Sequence, residues 1–282
     1  MKKYLLMVIV SLVLAAAAVF LVYKAISGQA VPKSAAVKVA KTAEAAPAET
    51  ESLYLTLGAN CEKRDELLKA GEAYAKAIEL FPASASAPKA QEALEKINVK
   101  ILFSSIITPD SISYEVQKGD SLFKIAKKFN TTAELIAKAN GLKDGMIKSG
   151  KSLKISKALF SIVVDKSQNI LTLKSGQYVL KTYRVSTGKD SCTPVGTFKI
   201  MNKIIDPPWY PPAGGVIPAG DPKNVLGSRW LGLSKEGYGI HGTTQPETIG
   251  KSVTEGCIRL KNSDVEELYS IVPEGTEVVV ID

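Results

Sequence analysis

Histidine and cysteine are scarce in this 282-residue chain, which has one histidine, His241, and three cysteines, Cys61, Cys192 and Cys257. A single imidazole excludes a histidine-rich metal site, and no cysteines have zinc-ligand spacing. We therefore expect no metal and no other cofactor. An odd number of cysteines leaves at least one thiol free or paired with another chain, and a free thiol in an oxidising compartment indicates reactivity.

Patterns typical of nucleic-acid binding are also missing. The formal net charge is +8, but Lys2, Lys3 and Lys24 flank an N-terminal apolar run, and without these three there are 33 basic and 28 acidic residues. Aromatic side chains do not alternate with basic clusters, so we do not expect nucleic acid as a partner. The mild positive bias suits an anionic polymer or a membrane surface.

The N-terminal apolar run, residues 4–23, contains 20 residues without a charge. As a helix it would span the hydrocarbon core of a membrane, roughly 30 Å thick, with a positive cytoplasmic flank. We expect residues 1–24 to be a signal anchor, with cleavage near residues 27–30 as the alternative. Either way the bulk of the chain would lie in the cell envelope, outside the cytoplasm. Residues 25–50, rich in Ala, Pro, Lys and Thr, are predicted to be a flexible linker.

Residues 51–103 show helical periodicity. Apolar or small residues recur from Leu67 to Ile78 and again from Ala90 to Ile97, with Pro82 between the two runs. Two helices around such a turn resemble one tetratricopeptide-like unit. A helical spacer and a surface for a protein partner both fit this unit.

Residues 114–155 predict a strand, two short helices and a second strand. Asp120 or Ser121 can begin the first helix, a turn at residues 130–132 begins the second, and the pair at residues 140–141 ends it. The start YEVQKGDSLFKIAKKF, the middle ANGL and the end GKSLKI resemble a LysM domain, which we place at residues 112–157. The resemblance implies binding to glycan that contains N-acetylglucosamine, usually peptidoglycan. The expected glycan contacts are Gly119, Asp120, Ser121, Asn140, Gly141 and Leu142.

The remaining region, residues 159–282, is β-rich. Its short strands are interrupted by residues 206–224, a loop with six prolines. Loops of this length in compact domains are usually functional or disordered, and Trp209 argues against simple disorder. The chain as a whole is therefore predicted to be a multidomain α+β protein.

Two reactive residues lie in this last region, His241 before Gly242 and Cys257 after Gly256. A thiol needs a base or a cation to become a thiolate near neutral pH, and His241 is the one imidazole in the sequence. A glycine before the cysteine allows a tight turn that leaves amide groups free for an oxyanion. The pattern suggests a Cys–His nucleophilic site, while a buried thiol and a structural histidine stay open as alternatives.

Six motifs in order extend the argument: STGK, TPVGTFKI, PPWYPP, IPAGDPKNVLGSRWLGL, GYGIHGT and EGCIRLKNSDVEELYSIVPEGTEVVV. Together they resemble the L,D-transpeptidase catalytic domain. The resemblance implies a β-rich sandwich with a cysteine and a histidine under a loop, and a role in cell-wall biogenesis and cell shape. It also implies that the thiolate attacks the bond between meso-diaminopimelate and the terminal D-Ala of a stem peptide. The amine of a second stem would then open the thioester and form a 3→3 crosslink.

The resemblance assigns roles by position. Cys257 is the expected nucleophile and His241 the base, and the Gly242 carbonyl would orient the imidazole. The amides of Gly256 and Cys257 would hold the oxyanion. The other residues expected near the oxyanion or the substrate are Thr254, Glu255, Arg259 and Trp209. Arg259 would support the loop or meet a substrate carboxylate, with a structural ion pair as the alternative; Cys61 and Cys192 are not expected to be catalytic.

One position departs from the family, which has histidine where this chain has Glu255. A carboxylate close to a thiol disfavours the thiolate, so Glu255 is predicted to raise the pKa of Cys257 slightly unless it faces solvent. The departure leaves a second class of function open, a wall-binding structural protein with a decayed catalytic domain. Within the enzyme class, L,D-carboxypeptidase action and attachment of a protein to the wall are further alternatives.

Overall fold

The structure, a computed structural model, describes residues 49–211 and 214–282. Within these ranges no helix is both long and apolar enough to cross a membrane. The predicted signal anchor, residues 1–24, and most of the predicted linker, residues 25–48, lie outside the described residues.

The first described unit is helical. Helix α1 occupies residues 49–63, α2 Leu67–Leu80 and α3 Ala87–Leu102. The two predicted helices are confirmed, but α1 was not predicted, and it includes residues 49 and 50 of the predicted linker. The three helices enclose a small core around Cys61, Tyr74 and Ile97.

The second unit has the predicted order of a LysM domain. It comprises β1 (Ser111–Glu115), α4 (Leu122–Phe129), α5 (Ala133–Ala139) and β2 (Ser152–Ser156). The two strands pair antiparallel. Both helices begin at the predicted caps, because the Ser121 hydroxyl accepts the Lys124 N–H at 3.2 Å and the Thr132 hydroxyl accepts the Leu135 N–H at 2.9 Å.

The third unit contains ten strands and one α-helix. Its elements are β3 (Phe160–Asp165), β4 (Ile170–Ser175), β5 (Tyr178–Arg184), β6 (Thr187–Gly188), β7 (Gly196–Ile205), β8 (Arg229–Leu233), β9 (Gly239–His241), β10 (Ser252–Thr254), β11 (Ile258–Arg259), α6 (Asn262–Ile271) and β12 (Glu277–Ile281). Eight strands form one sheet in the order β11-β9-β8-β7-β12-β3-β4-β5, and β10 pairs with β6.

Strand β7 joins the two halves of this sheet. Its first residues pair with β12, and the residues from Ile200 onward pair with β8. Side chains from both halves share one buried core, which includes Ile162, Leu171, Leu231 and Ile258. The predicted sandwich is thus a mixed α+β unit built on one continuous sheet, with β9 and β11 at one edge.

Buried polar contacts connect the three units. Glu95 on α3 accepts the N–H and the hydroxyl of Thr182 on β5, at 3.1 and 3.0 Å. The Lys154 ammonium of β2 donates to backbone carbonyls at the end of α3, including that of Ile101 at 2.7 Å. Lys138 on α5 donates to the Ser270 hydroxyl on α6 at 2.8 Å. The LysM unit therefore packs against both of its neighbours.

Candidate active site

Two neighbouring strands bring the predicted nucleophile and base to one edge of the sheet. Strands β9 and β11 run parallel, with Ile258 opposite Ile240 and Arg259 opposite His241. His241 is the last residue of β9, and Cys257 immediately precedes β11. The 16-residue separation in sequence therefore becomes a neighbour relation across a strand pair.

The turn before Cys257 is closed by a threonine. The Thr254 hydroxyl donates to the Cys257 carbonyl at 2.6 Å and accepts the Gly256 N–H at 3.2 Å. Gly256 has φ +118°, and a Cβ there would lie 2.6 Å from the ring of Tyr238. Only glycine fits this position, because a side chain would be strained and would also clash.

This turn corrects part of the predicted oxyanion site. The Gly256 N–H is already bonded to the Thr254 hydroxyl, so it is not a free donor in this geometry. The Cys257 N–H donates to no acceptor within the described residues. The predicted oxyanion donors thus reduce to the Cys257 amide, and Thr254, which is only 4% exposed, shapes the turn.

His241 is held in one orientation by a backbone carbonyl. Its ring is buried, and Nδ1 lies 2.6 Å from the Gly242 oxygen. A carbonyl can only accept, so Nδ1 carries the hydrogen and Nε2 is free to accept a proton. The Gly242 carbonyl thus contacts the imidazole, and its role in orienting the base stays a prediction. Trp230, opposite His241 on β8, stacks on the imidazole with ring centroids 6.0 Å apart.

Burial keeps both members of the pair neutral before substrate arrives. It lowers the pKa of His241 to about 4, although the carbonyls of Gly242 and Leu226 favour the protonated ring. It also raises the pKa of the Cys257 thiol, against the opposing effects of the Gly239 backbone and of Arg259. Thiolate formation therefore requires transfer of the thiol proton to a nearby base rather than loss to solvent.

Arg259 is a buried cation without a carboxylate partner. It is 8% exposed, and its Nη1 donates to the Thr248 hydroxyl at 3.0 Å and to the Gln245 oxygen at 3.4 Å. Its Nε has no hydrogen-bond partner. Among the described residues no acidic side chain lies within ion-pair distance of it, although the Glu247 carboxylate favours its charged form. The unpaired charge favours negative charge on Cys257.

Sequence similarity to known proteins identifies the family. Residues 160–280 match the family described as the L,D-transpeptidase catalytic domain, YkuD, and residues 114–156 match the LysM domain. YkuD of Bacillus licheniformis, named as an L,D-transpeptidase, is 39% identical over 175 residues, which are 59% of this chain and 97% of that protein. The chain belongs to the L,D-transpeptidase family.

Two further relatives come from Bacillus subtilis and carry the same family name. YkuD of that organism is 38% identical over 176 residues, which are 60% of this chain and 98% of the relative. YqjB is 39% identical over 127 residues, which are 43% of this chain and 70% of the relative. The similarity to the two YkuD proteins covers more residues than the transpeptidase domain contains.

Glu255, which replaces the family histidine in this L,D-transpeptidase, faces away from the reacting pair. Its side chain is 78% exposed, and Oε1 lies 2.9 Å from the Lys189 ammonium. The pairing of β6 with β10 explains this contact, because each residue directly follows one of those strands. Burial is the main cause of the raised pKa of Cys257, and Glu255 faces solvent, the alternative that the sequence left open.

The proline-rich loop, residues 206–224, has internal hydrogen bonds. Trp209 and Ile217 exchange two backbone hydrogen bonds of 2.8 Å, and the Asn224 amide donates to the Pro207 carbonyl at 2.9 Å. Two residues after the loop, the Leu226 carbonyl faces the imidazole of His241. Trp209 makes no contact with His241 or Cys257 in the described structure, and the aromatic ring beside His241 is Trp230.

The LysM residues predicted to contact glycan divide into two groups. Asp120 accepts the Tyr114 hydroxyl at 2.9 Å and the Gln117 N–H at 2.8 Å. The Asn140 amide makes three hydrogen bonds of 2.8–2.9 Å to the backbone of Ile136 and Lys154. These two side chains hold the fold, as does the Ser121 cap, and Leu142 packs on the core. Gly119 and Gly141 stand at open positive-φ turns, accessible to a ligand.

The sequence analysis missed three residues around the pair. Trp230 lies across Gly239, where a Cβ would come 2.5 Å from its ring, and Tyr238 covers Gly256. The amide oxygen of Asn262 accepts the backbone N–H groups of Ser228 and Thr243. Glycines next to aromatic residues in the GYGIHGT motif were a signal for the first two, and the third had none beyond its place at a helix start.

Proposed function

We propose that the transpeptidase domain transfers an acyl group from one peptidoglycan stem peptide to another through a thioester on Cys257. The imidazole of His241 takes the thiol proton at Nε2. The thiolate attacks the carbonyl between meso-diaminopimelate and the terminal D-Ala, and D-Ala leaves as the amine with the proton from the imidazolium. The side-chain amine of a second stem then attacks the thioester, forms the 3→3 crosslink and restores the thiol.

The observation that carries this proposal is the anchored tautomer of His241 beside the Cys257 turn. Because the Gly242 carbonyl fixes hydrogen on Nδ1, the unprotonated nitrogen is the one that can act as a base. The Cys257 N–H, which has no internal acceptor, is a donor for the oxyanion of the tetrahedral intermediate. The unpaired guanidinium of Arg259 supports the thiolate before attack.

A catalytically decayed wall-binding protein is the competing function. Its main support in the sequence was the glutamate at position 255, but that side chain is exposed and paired with Lys189. The pairing of the strands that carry Cys257 and His241, and the contact of the imidazole with the Gly242 carbonyl, support activity. The geometry thus favours an active enzyme.

Incubation with defined tetrapeptide muropeptides, followed by mass spectrometry, tests the reaction. We expect release of D-Ala together with a crosslinked dimer. Release of D-Ala without a dimer would indicate the L,D-carboxypeptidase, with water as the acceptor. Unchanged muropeptides would overturn the enzymatic proposal.

The other regions are proposed to hold the enzyme at its substrate. LysM would bind the glycan, and residues 1–24 would anchor the chain in the cytoplasmic membrane with the catalytic domain outside, so that both raise the local concentration of wall substrate. Exposed Leu53 and Leu57, one turn apart on α1, support a protein partner at the helical unit. Membrane pellets washed with alkaline carbonate should retain the full chain and lose a variant that lacks residues 2–24; equal release of both would contradict the anchor.

A further inference from the structure

Asn262, the first residue of α6, connects two backbone segments, the one that follows His241 and the one that precedes β8. Its amide oxygen accepts the Thr243 N–H at 2.9 Å and the Ser228 N–H at 3.1 Å. Thr243 follows the strand of His241, and Ser228 follows the proline-rich loop. One side-chain atom thus joins segments that are 34 and 19 residues distant from it in sequence.

The first of these hydrogen bonds acts on the peptide group that orients the imidazole. The Thr243 N–H and the Gly242 carbonyl belong to the same peptide unit, and that carbonyl lies 2.6 Å from His241 Nδ1. A peptide whose N–H donates a hydrogen bond is a better acceptor at its oxygen, because successive hydrogen bonds polarise one another. The Asn262 oxygen, the peptide and the imidazole therefore form one hydrogen-bonded chain.

The second hydrogen bond holds the backbone close to Leu226, the other residue whose carbonyl faces the ring. Ser228 lies two residues after Leu226, whose carbonyl favours the protonated form of His241. With the Ser228 N–H bonded to Asn262, this end of the loop is held at the same point as the strand end. One amide oxygen thus binds the peptide unit of the Gly242 carbonyl and, on the other segment, the backbone two residues after Leu226.

Two glycines leave room for this arrangement. A Cβ at Gly227 or at Gly242 would lie 2.2 Å from the Asn262 amide oxygen. Gly227 has φ +65°, a conformation that residues with a side chain rarely adopt. The close approach of the carboxamide to both backbone segments therefore depends on Asn262 and on glycine at positions 227 and 242.

We propose that Asn262 is a positioning residue for His241, holding the imidazole in the orientation in which Nδ1 meets the Gly242 carbonyl and Nε2 is the unprotonated nitrogen. It touches neither substrate nor sulfur and acts through the Gly242–Thr243 peptide. The inference rests on the proposed acyl transfer for its catalytic consequence, but not for its geometry. Loss of orientation at a base near the reacting atoms can lower the rate on the order of 100-fold.

The test compares two substitutions in the full chain. Asn262→Leu removes the acceptor, while Asn262→Asp retains an oxygen for both N–H groups at a helix start, where negative charge is tolerated. We expect Asn262→Leu to lower kcat for D-Ala release about 10- to 100-fold with a KM change below about 3-fold, and Asn262→Asp to recover most of the loss. Asn98→Leu, at a carboxamide that contacts the Leu180 carbonyl far from the site, is the matched control.

A second readout does not depend on turnover. The rate of Cys257 alkylation against pH reports thiolate formation; Arg259 and Cys192 are the charged and titratable neighbours of the sulfur, and His241 is the proposed base. The carboxylate of Asn262→Asp should raise the pKa of His241 and move the acidic limb of the profile to higher pH, whereas Asn262→Leu should reduce the rate without such a movement. If wild type releases no D-Ala but these profiles hold, the acyl transfer fails and the positioning role stands. Profiles unchanged in both variants, or equal loss of kcat in both with no recovery by Asp, would overturn it.

Discussion

The LysM unit and the transpeptidase unit use the polar residues of their motifs in different ways. In LysM, the side chains of Asp120 and Asn140 form their hydrogen bonds within the domain, to backbone groups and to the Tyr114 hydroxyl. In the transpeptidase unit, the Arg259 Nε and the Cys257 N–H have no partner in the described residues. Buried polar groups are normally satisfied, and we infer that an incoming molecule supplies the partner of the unpaired groups beside Cys257; the Thr131 hydroxyl in LysM is also unpaired. A motif residue whose hydrogen bonds are all formed within the domain is informative about the fold rather than about ligand binding.

The largest expected effect concerns the base. His241→Gln should lower acyl transfer about 10²- to 10⁴-fold, because no other group in the described site can accept the thiol proton. Binding to purified sacculi through LysM should be unchanged. Turnover close to that of wild type would contradict the assignment of His241.

The same variant tests the buried, neutral state of the imidazole. Because the pKa is lowered from 6.5 to about 4 in the folded protein, the unfolded chain takes up a proton first as the pH falls. Stability contributed above pH 6.5 should therefore be lost towards pH 4, by about 3 kcal/mol in total. Denaturant unfolding between these pH values should show a shallower decline for His241→Gln than for wild type. Parallel declines would show that His241 is not the group responsible.

Arg259→Met tests whether an unpaired buried group of the transpeptidase unit serves activity rather than stability. Replacing a poorly paired buried charge by an apolar side chain of similar length is often neutral or stabilising, so we expect Tm to stay within a few degrees or to rise. Loss of the cation beside Cys257 should lower acyl transfer on the order of 10-fold. Calorimetry and D-Ala release measure the two effects. A large fall in Tm with normal activity would assign Arg259 to the fold instead.

Asn140→Leu should lower stability and leave activity unchanged, the opposite of the result expected for Arg259→Met. Three hydrogen bonds to the backbone of LysM are lost, and buried backbone groups are left unpaired, which costs about 2–4 kcal/mol of unfolding free energy. Acyl transfer on small soluble muropeptides should not change. Chemical denaturation and the soluble assay check this pair of outcomes. Unaltered stability with lost sacculus binding would make Asn140 a glycan contact, as its motif first suggested.

Glu255→Gln is expected to have the smallest effect. Its exposed ion pair with Lys189 is screened by solvent, and the carboxylate lies outside the pair of reacting groups. The pH profile of Cys257 alkylation and the melting temperature should match wild type within error, with Glu255→His as the family-like control. A clear shift of the thiol pKa in the Gln variant would restore the direct influence that the sequence suggested.

Local signals predicted most of the LysM unit and the strands of the catalytic unit. Ser121 and Thr132 begin helices as their side chains dictate, and turn residues separate β3, β4 and β5. The pairing of β7 with two different strands depends on contacts remote in sequence, which no local pattern contains. Helix α1 begins in an Ala- and Thr-rich stretch without strong apolar periodicity, which explains its omission.

In the site, the reactive residues were predictable and their supporting contacts were not. Cys257 and His241 stand out by rarity and by their glycine neighbours. The Thr254 hydroxyl that occupies the Gly256 N–H is a local effect, typical of threonine near a turn, and the prediction missed it. Asn262 is typical of a helix start, while its actual partners lie on other segments and become visible only in the fold.

The most direct test of the account is the intact mass of the enzyme during reaction with a tetrapeptide stem, with peptide mapping of the modified residue. The account predicts a transient thioester on Cys257, formed with release of D-Ala, absent from Cys257→Ser and cleared by an amine acceptor. Cys192, exposed and free, is an internal control that should stay unmodified. An adduct on Cys192, or D-Ala release that persists in Cys257→Ser, would contradict the assignment of the nucleophile.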